Sequence, residues 1–322
     1  MTAGDSMNSG DKRAVAAWLF VCAAFTFATV VVGGITRLTH SGLSITEWQP
    51  LVGAIPPLSQ DDWEALFTKY RESPQFREVF PYMELAGFKA IFWWEYVHRL
   101  LGRVIGLVFL VPFLFFHFRN RLSRPLTWKL AGLFVLGGLQ GAMGWYMVKS
   151  GLVDDPRVSH FRLTAHLGLA LLIFAIEFWL ALGLLRERKE PRNPFALVVA
   201  GTVFLMALSG GFVAGLRAGH AYNTFPLMNG QLIPSEAFML DPWWSNLFWN
   251  VATVQLVHRS ISRAQPGSGT CPAGDARRLS PAFAAPATRA RKSGPAAARI
   301  SSDAPVAPSP RSRTSCSTRD RA

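Results

Sequence analysis

Five long apolar stretches constrain this chain more than any other feature of its sequence. They cover residues 14–34, 91–117, 130–147, 163–185 and 195–216. Each is close to the roughly 20 residues that an α-helix needs to cross a bilayer, and half of the 322 residues are hydrophobic. A sixth apolar stretch, 243–258, is too short to cross by itself. The sequence therefore predicts an all-α polytopic membrane protein with five full spans and a partial sixth.

The positive charge is distributed as in a membrane protein rather than a nucleic-acid-binding one. Of the formal net charge of +13, 12 Lys/Arg against 3 Asp/Glu from Arg259 onward give +9, which leaves +4 for the apolar body. The body's basic residues lie before the first span and in two short loops: Lys12, Arg13, Arg119, Arg121, Arg124, Lys129, Arg186, Arg188, Lys189 and Arg192. Because basic loops stay cytoplasmic, we expect a cytoplasmic N-terminus, a bacterial inner-membrane location, and lipid rather than nucleic acid as a partner.

The two halves of the chain show the same succession of motifs. The first span ends in Gly33-Gly34 and the fifth in Gly210-Gly211. Each is followed by a loop with a Pro-Leu step, a glycine and another proline, and then by a helix containing a His-Arg pair. These helices carry Glu95-Tyr96-Val97-His98-Arg99 and Gln255-Leu256-Val257-His258-Arg259. Internal repeats of this kind are common in membrane proteins.

A tryptophan pair precedes each His-Arg motif, Trp93-Trp94 in one half and Trp243-Trp244 in the other. Tryptophan favours the membrane interface, so we expect both pairs to mark the outer ends of helices.

The repeat predicts two four-helix half-bundles, of which the second is incomplete. The expected organisation is a cytoplasmic N-terminus (1–13), a complete half (14–185), an incomplete half (186–259) and a tail (260–322). The tail is rich in Ala, Pro, Arg and Ser and has no apolar period. We expect it to be disordered, because it cannot bury enough surface to offset its ordering entropy. The abrupt change after Arg259 leads to the hypothesis of a shifted reading frame, which translating the other frames at the locus would test.

Two histidines are expected at similar depth near the outer surface, His98 and His166. Neutral imidazoles on separate helices can bind haem iron from opposite faces. Gly102 and Gly168 lie near them in sequence and would leave room for a flat macrocycle. The alternative is that each histidine is simply hydrogen-bonded between helices. His258 is a third candidate ligand by its match to His98.

Charged residues near these histidines also have two interpretations each. Glu95 could orient His98, stabilise positive charge or move protons, or it could form an ion pair with Arg99 or Arg103. Arg99, Arg103 and Arg162 could bind haem propionates or only anchor helix ends.

The remaining candidates lie deeper or in loops. Glu177 could belong to a proton route, although an interhelical hydrogen bond is the favoured interpretation. The other histidines are interpreted mostly as loop or interface residues: His40, His117, His160 and His220.

Several long motifs in the right order resemble the haem A synthase family. They are FTFATVVVGGITRLTHSGLSITEWQPLVGAIPPLSQDDWEALFTKYRESPQF, FKAIFWWEYVHRLLGRVIG, LGGLQGAMGWYMVKSGL and VSHFRLTAHLGLAL. The resemblance covers residues 14–259 and is to the proteobacterial and mitochondrial branch, which lacks an outer-loop cysteine pair, as does this chain.

The resemblance implies an eight-helix protein that oxidises the methyl group at ring position 8 of haem O to a formyl group, giving haem A for cytochrome oxidase. His98 and His166 would hold the substrate haem, and Glu95 would match the acidic residue required for the oxidation. His258 and a histidine on the last helix would hold a haem b cofactor. Haem O synthase and cytochrome oxidase assembly factors would be partners.

The chain departs from that pattern beyond His258, where no further histidine occurs. We therefore expect it to bind haem b poorly and to have little activity. Two alternative functions follow from the same residues: a b-type cytochrome that only transfers electrons, and a non-catalytic remnant. Glu95 beside His98, together with the extended outer loop, favours the enzyme over the electron carrier.

Overall fold

The computed structural model of the chain describes residues 7–47, 52–153, 156, 158–186 and 193–265. In these ranges the secondary structure is helical, without a β-strand. Some expectations fall outside the described residues: the first Pro-Leu step, the basic residues Arg188, Lys189 and Arg192, and the tail from residue 266 onward.

Nine α-helices follow one another in the described part of the chain. They are α1 (Ser9–Leu38), α2 (Gln60–Arg71), α3 (Pro74–Val79), α4 (Leu85–Phe118), α5 (Arg124–Gly151), α6 (His160–Leu185), α7 (Pro194–Gly215), α8 (Asn246–Trp249) and α9 (Val251–Arg263). Helices α1, α4, α5, α6 and α7 are long and apolar enough to cross a membrane. The predicted all-α polytopic fold with five spans is confirmed.

Local sequence signals set several helix ends. The side chain of Asn8 accepts a hydrogen bond from the Asp11 amide at 2.7 Å and so caps α1. Ser59 and Asp62 form a capping box at the start of α2. Proline at the first position of α7 already has a helical φ and lacks the amide hydrogen that would be left without an acceptor there.

The four long helices of the first half pack mainly through α1 and α6. Helix α6 contacts α1, α5 and α7, and α1 also contacts α4. An apolar cluster that includes Trp18, Leu19, Phe109 and Leu130 fills the end of the bundle where α1 begins. The indole Nε1 of Trp18 donates to the Val108 carbonyl at 2.8 Å and joins α1 to α4. Close packing and interhelical hydrogen bonds of this kind hold membrane helices together.

Helix α4 begins at Leu85, about two turns before the tryptophan pair, so Trp93-Trp94 lie inside the helix. The expectation that this pair marks the helix end is wrong. The additional turns are held by an aromatic cluster with α2, in which the rings of Trp63 and Phe92 are 4.9 Å apart. Tyr70 and Phe88 belong to the same cluster. The outer segment between α1 and α4 is therefore a folded cap rather than an extended loop.

Backbone geometry supports the internal repeat. His40 follows α1 and Arg217 follows α7, and both have a φ of 56°, which few non-glycine residues adopt. The same sequence offset relates Gly33 to Gly210. Helix α1 packs against α4 as α7 packs against α9. Helices α7 and α9 therefore repeat the arrangement of α1 and α4.

The sixth apolar stretch does not form one helix. A 3-10 turn over Trp243–Ser245 and the short α8 end at Asn250, which is extended with a φ of −81° and a ψ of 115°. The Asn250 side chain then caps α9 by accepting from the Thr253 amide at 3.1 Å. The partial sixth stretch over 243–258 is therefore divided at Asn250, because an asparagine that bonds the following backbone starts a new helix. Helix α9 continues to Arg263, beyond the expected boundary at 259.

Candidate functional site

His98 on α4 and His166 on α6 meet in the first bundle. Their imidazoles are within range for electrostatic interaction. In each ring Nδ1 is buried and has no hydrogen-bond partner among the described residues. His98 lies about three and a half turns into α4, not in its first two turns as the sequence suggested. The two histidines are brought together because α4 extends into the outer cap, while α6 begins close to His166.

Each of these rings lies against a glycine of an adjacent helix. A Cβ atom at Gly33 on α1 would stand 2.8 Å from Cε1 of His98, and one at Gly144 on α5 would stand 3.1 Å from Cε1 of His166. Gln140, one turn before Gly144, donates from Nε2 to the His166 carbonyl at 3.0 Å. The sequence pattern does not single out Gly144 or Gln140, since they reach His166 only when α5 packs on α6.

The two glycines expected to leave space beside the histidines differ. A Cβ atom at Gly102 would meet nothing within 4 Å, so α4 has open space one turn beyond His98. At Gly168, a Cβ atom would stand 2.7 Å from Cδ2 of Leu208 on α7. The expectation for Gly168 is wrong, because two residues rotate a helix by about 200° and turn this position away from His166.

Glu95 connects α4 to the outer cap. The residue is 2 % exposed. Oε2 accepts from the Ser44 amide at 2.7 Å, the Ser44 hydroxyl at 2.7 Å and the Ile45 amide at 2.9 Å. Oε1 accepts from Nη2 of Arg99 at 2.6 Å. The ion-pair alternative is confirmed, and the carboxylate makes no hydrogen bond to His98. Ser44 is a residue of the site that the sequence does not reveal.

The three arginines of the outer face have different surroundings. Besides its bond to Glu95, Arg99 donates to the carbonyls of Ile45 at 2.9 Å and Glu47 at 3.3 Å, so its guanidinium holds the cap. Arg103 lies within electrostatic range of Arg99. Arg162 is 4.5 Å above the Tyr146 ring and 3.3 Å from its hydroxyl.

A cavity of about 400 Å³ opens beside the cap. Its lining is Ile45, Thr46, Glu47, Arg99, Trp145, Val148, Lys149 and Leu152. Trp145 directly follows Gly144 in sequence and Arg99 directly follows His98, whereas neither histidine is part of the lining. Lys149, whose Nζ lies 5.1 Å above the Trp145 ring, brings a second positive charge that the sequence does not single out.

The second half repeats the contacts that hold the cap in the first half, with an amide in place of the Glu95 carboxylate. Arg259 donates to the carbonyls of Tyr222 and Thr224 at 2.8 Å each, as Arg99 does to the equivalent residues of the first half. Gln255 stands where the first half has Glu95, and its Nε2 donates to the Tyr222 carbonyl at 3.0 Å. The repeat thus keeps the arginine and the loop contact but replaces the carboxylate by an amide.

His258 lies against a glycine, as His98 does, and its ring also contacts a hydroxyl group. A Cβ atom at Gly210 would stand 3.4 Å from Cε1 of His258, so this histidine also packs against a glycine. Its Nδ1 lies 2.8 Å from the Ser209 hydroxyl, whereas Nδ1 of His98 has no partner among the residues that the structure describes.

Glu177 and His160 are placed by packing between helices. Glu177 accepts a hydrogen bond from the Thr26 hydroxyl at 2.9 Å, which confirms the interhelical interpretation. His160 is the first residue of α6 and is 5 % exposed. Its ring centroid lies 4.4 Å from that of Trp249 and 5.7 Å from that of Phe212. It is an interface residue between α6, α7 and α8.

His40 lies in the cap outside the spans, at the end of α1. Its partial burial lowers the pKa of the imidazole, and the nearby positive charges of Arg217 and Arg37 lower it further. His220 adds to the same effect. His117, near the other end of α4, has its ring stacked on Phe113.

The chain is similar to one known protein family throughout its apolar body. The family model described as cytochrome oxidase assembly protein (COX15-CtaA) matches residues 16–279. The chain is 60% identical over 259 residues to the heme A synthase of Nitrosospira multiformis, covering 78% of this chain and 73% of that protein. It is 56% identical over 257 residues to the heme A synthase of Nitrosomonas eutropha, covering 77% and 72%.

A third relative is the heme A synthase of Rhodospirillum centenum, 50% identical over 266 residues, with 81% of this chain and 71% of that protein covered. No solved structure matches the chain significantly. The family match spans both histidine-bearing halves described above, and the resemblance drawn from the sequence motifs is confirmed: this chain belongs to the haem A synthase (COX15-CtaA) family.

Proposed function

We propose that the chain is a haem A synthase, which oxidises the methyl group at ring position 8 of haem O to a formyl group. The observation that carries this proposal is the pairing of His98 and His166 one turn below the anchored carboxylate of Glu95. The relatives named above carry the name of this enzyme rather than that of an electron carrier.

The residues of the first bundle fit a haem between α4 and α6. Two imidazoles from different helices lie within electrostatic range of each other, and in both rings Nδ1 has no partner in the described part of the chain. Open space lies beside Gly102 on the same face of α4 as His98. Such histidine pairs are suitable axial ligands of haem iron. When bound, the haem supplies the redox chemistry, and the protein fixes its position.

Glu95 is proposed as the catalytic residue. It lies on the face of α4 that carries His98, one turn nearer the cap, where a carboxylate can stabilise positive charge or take up a proton. The repeat supports this role, because the second half has Gln255 at the equivalent position. Both side chains hold the cap, so holding it does not require a charge. A carboxylate in the first half alone is consistent with chemistry in that half.

The basic residues at the outer end of the first bundle are proposed to bind the haem propionates. Arginine pairs with carboxylates through two parallel hydrogen bonds. Arg99, Arg103, Arg162 and Lys149 lie at this end of the bundle and are the cations that we propose for this role. Arg99 also donates to Glu95 and to two backbone carbonyls of the cap.

His258 is proposed as a ligand of a haem b cofactor in the second half. The chain has no histidine after it. The expectation that the chain binds haem b poorly stays a prediction, which pyridine haemochrome analysis of the purified protein would check. One low-spin haem b per chain would contradict it.

Membrane orientation and partners complete the proposal. Arg121 at the α4–α5 loop lies 3.6 Å from Asp11 at the start of α1, which supports a common, cytoplasmic side for the two. We propose an inner-membrane location, with haem O as substrate and with haem O synthase and cytochrome oxidase assembly factors as partners.

The test is haem analysis in a bacterial strain that makes haem O but lacks its own haem A synthase. The chain is expressed there, and extracted haems are separated by chromatography and identified by mass. Because the chain is also expected to have little activity, only a small amount of haem A is expected with the wild-type chain, and none with His98→Gln or His166→Gln. An Arg124→Gln variant, changed at the other end of the bundle, serves as the control. Haem O alone from well-expressed wild-type protein would contradict the proposal.

A further inference from the structure

The Ser209 hydroxyl makes two contacts that together determine where its proton lies. Oγ is 2.8 Å from the Met206 carbonyl oxygen on its own helix and 2.8 Å from Nδ1 of His258 on α9. A carbonyl oxygen can only accept, and two oxygens this close require a hydrogen between them. The single hydroxyl proton of Ser209 therefore points to Met206.

The position of the Ser209 proton determines which ring nitrogen of His258 carries a hydrogen. Since the Ser209 proton is engaged, its oxygen can only accept from the imidazole, and Nδ1 must carry a hydrogen. In a neutral imidazole Nε2 is then unprotonated and has its lone pair available. We propose that Ser209 is a positioning residue that holds His258 in the Nδ1–H tautomer, with Nε2 presented to a metal. That Nε2 binds haem iron rests on the proposed function; the tautomer does not.

Among its described residues, the first half has no such hydroxyl contact to its histidine. With the offset that relates Gly33 to Gly210, the equivalent of Ser209 is Val32, which has no hydroxyl. Nδ1 of His98 correspondingly has no partner within the described ranges. A fixed tautomer and ring orientation in a ligand histidine favour the binding of a cofactor. The His98 ring has a backbone hydrogen bond with Thr29 instead, so the two halves hold their histidines through different partners.

Nuclear magnetic resonance of the full chain, labelled with ¹⁵N in its histidines and held in detergent, tests the tautomer directly. The His258 signals are identified by their loss in His258→Gln. The wild type is expected to show the Nδ1–H form. Ser209→Ala is expected to shift the population to the Nε2–H form that free histidine prefers, and Ser209→Thr to retain the wild-type pattern. Ser260→Ala is the matched control, because that hydroxyl donates to a carbonyl of its own helix.

A second measurement separates the tautomer from the ligand role. Haemin is titrated into chains that carry both His98→Gln and His166→Gln, so that binding reports on His258. Ser209→Ala is expected to weaken it by about 10- to 100-fold, the usual cost of losing the partner of a ligand. An Nε2–H wild type, or an Nδ1–H population unchanged in Ser209→Ala, would overturn the inference. A shifted tautomer with unchanged haemin affinity would overturn the positioning role alone and leave the haem A synthase assignment to its own test.

Discussion

Nη2 of Arg217 lies 3.4 Å from Nδ1 of His40, and the two residues occupy equivalent positions after α1 and α7. A guanidinium can only donate, so Nδ1 of His40 accepts and the ring is neutral in this contact. Arg37 reinforces the same junction by donating to the carbonyls of Ala214 at 2.9 Å and Gly215 at 3.2 Å. The ends of α1 and α7 are thus joined by polar contacts between equivalent parts of the repeat.

Replacing Arg217 by glutamine is expected to raise the pKa of His40 towards its ordinary value, because one of the charges that lowers it is removed. In the wild type, as the pH falls, the His40 imidazole becomes protonated in the unfolded chain before it does in the folded chain. The junction therefore loses stability as the pH falls below the ordinary histidine pKa of about 6.5 and is unaffected above it. A nuclear magnetic resonance titration of His40 measures the shift, with Arg124→Gln as the control. An identical His40 titration in Arg217→Gln would contradict the prediction.

The sequence predicts the five spans because span length and apolarity are local properties. It predicts the histidine pair for a similar reason, since a histidine near the polar end of an apolar helix is visible in the chain itself. The fold of the outer cap is harder to predict from the sequence. Nothing local indicates that Trp63 packs against Phe92. This contact accompanies the start of α4 at Leu85, about two turns before Trp93.

Residues that act through tertiary contacts are missed or misassigned for the same reason. Gly168 lies near His166 in sequence but packs against Leu208 of α7. Gly144 is remote in sequence and lies against the His166 ring. Proximity along the chain is a poor guide here, because a helix turns by about 100° per residue and each face meets a different neighbour.

Alanine at Gly33 is expected to displace His98 and weaken haem binding. Its Cβ atom would stand 2.8 Å from the imidazole, and forcing a side chain into a filled space costs about 1–3 kcal/mol. Gly34 is a matched control, since a Cβ atom there meets nothing within 4 Å. Gly34→Ala is expected to be neutral or to stabilise the helix by about 0.5–1 kcal/mol. Haemin titration and thermal unfolding of both variants measure this, and equal haemin affinities would refute the steric argument.

Glutamine at Glu95 is expected to lower haem A formation by about 10²- to 10⁴-fold, the range found for general acid–base groups. It would also loosen the cap, because an amide nitrogen faces the donors of Ser44 or Arg99 where a carboxylate oxygen accepted them. Hydrogen exchange at the Ser44 and Ile45 amides reports on the cap separately from the product assay.

Ser44→Ala distinguishes the two effects of Glu95. It removes one hydroxyl bond to the carboxylate and keeps both backbone amides and the charge. We expect faster exchange in the cap with most of the haem A formation retained. If Ser44→Ala abolished product as completely as Glu95→Gln, the carboxylate would act through the cap rather than on the reaction.

Valine at Thr26 is expected to lower the free energy of unfolding by about 1–3 kcal/mol, because it leaves the buried carboxyl group of Glu177 without its donor. Thr29→Val is the matched control on the same helix, since the Thr29 hydroxyl donates at 2.8 Å to the Phe25 carbonyl of α1 itself. Thermal unfolding in detergent compares the two. Equal losses would show that the cost comes from placing valine in α1, whereas a loss confined to Thr26→Val assigns it to the bond between α1 and α6.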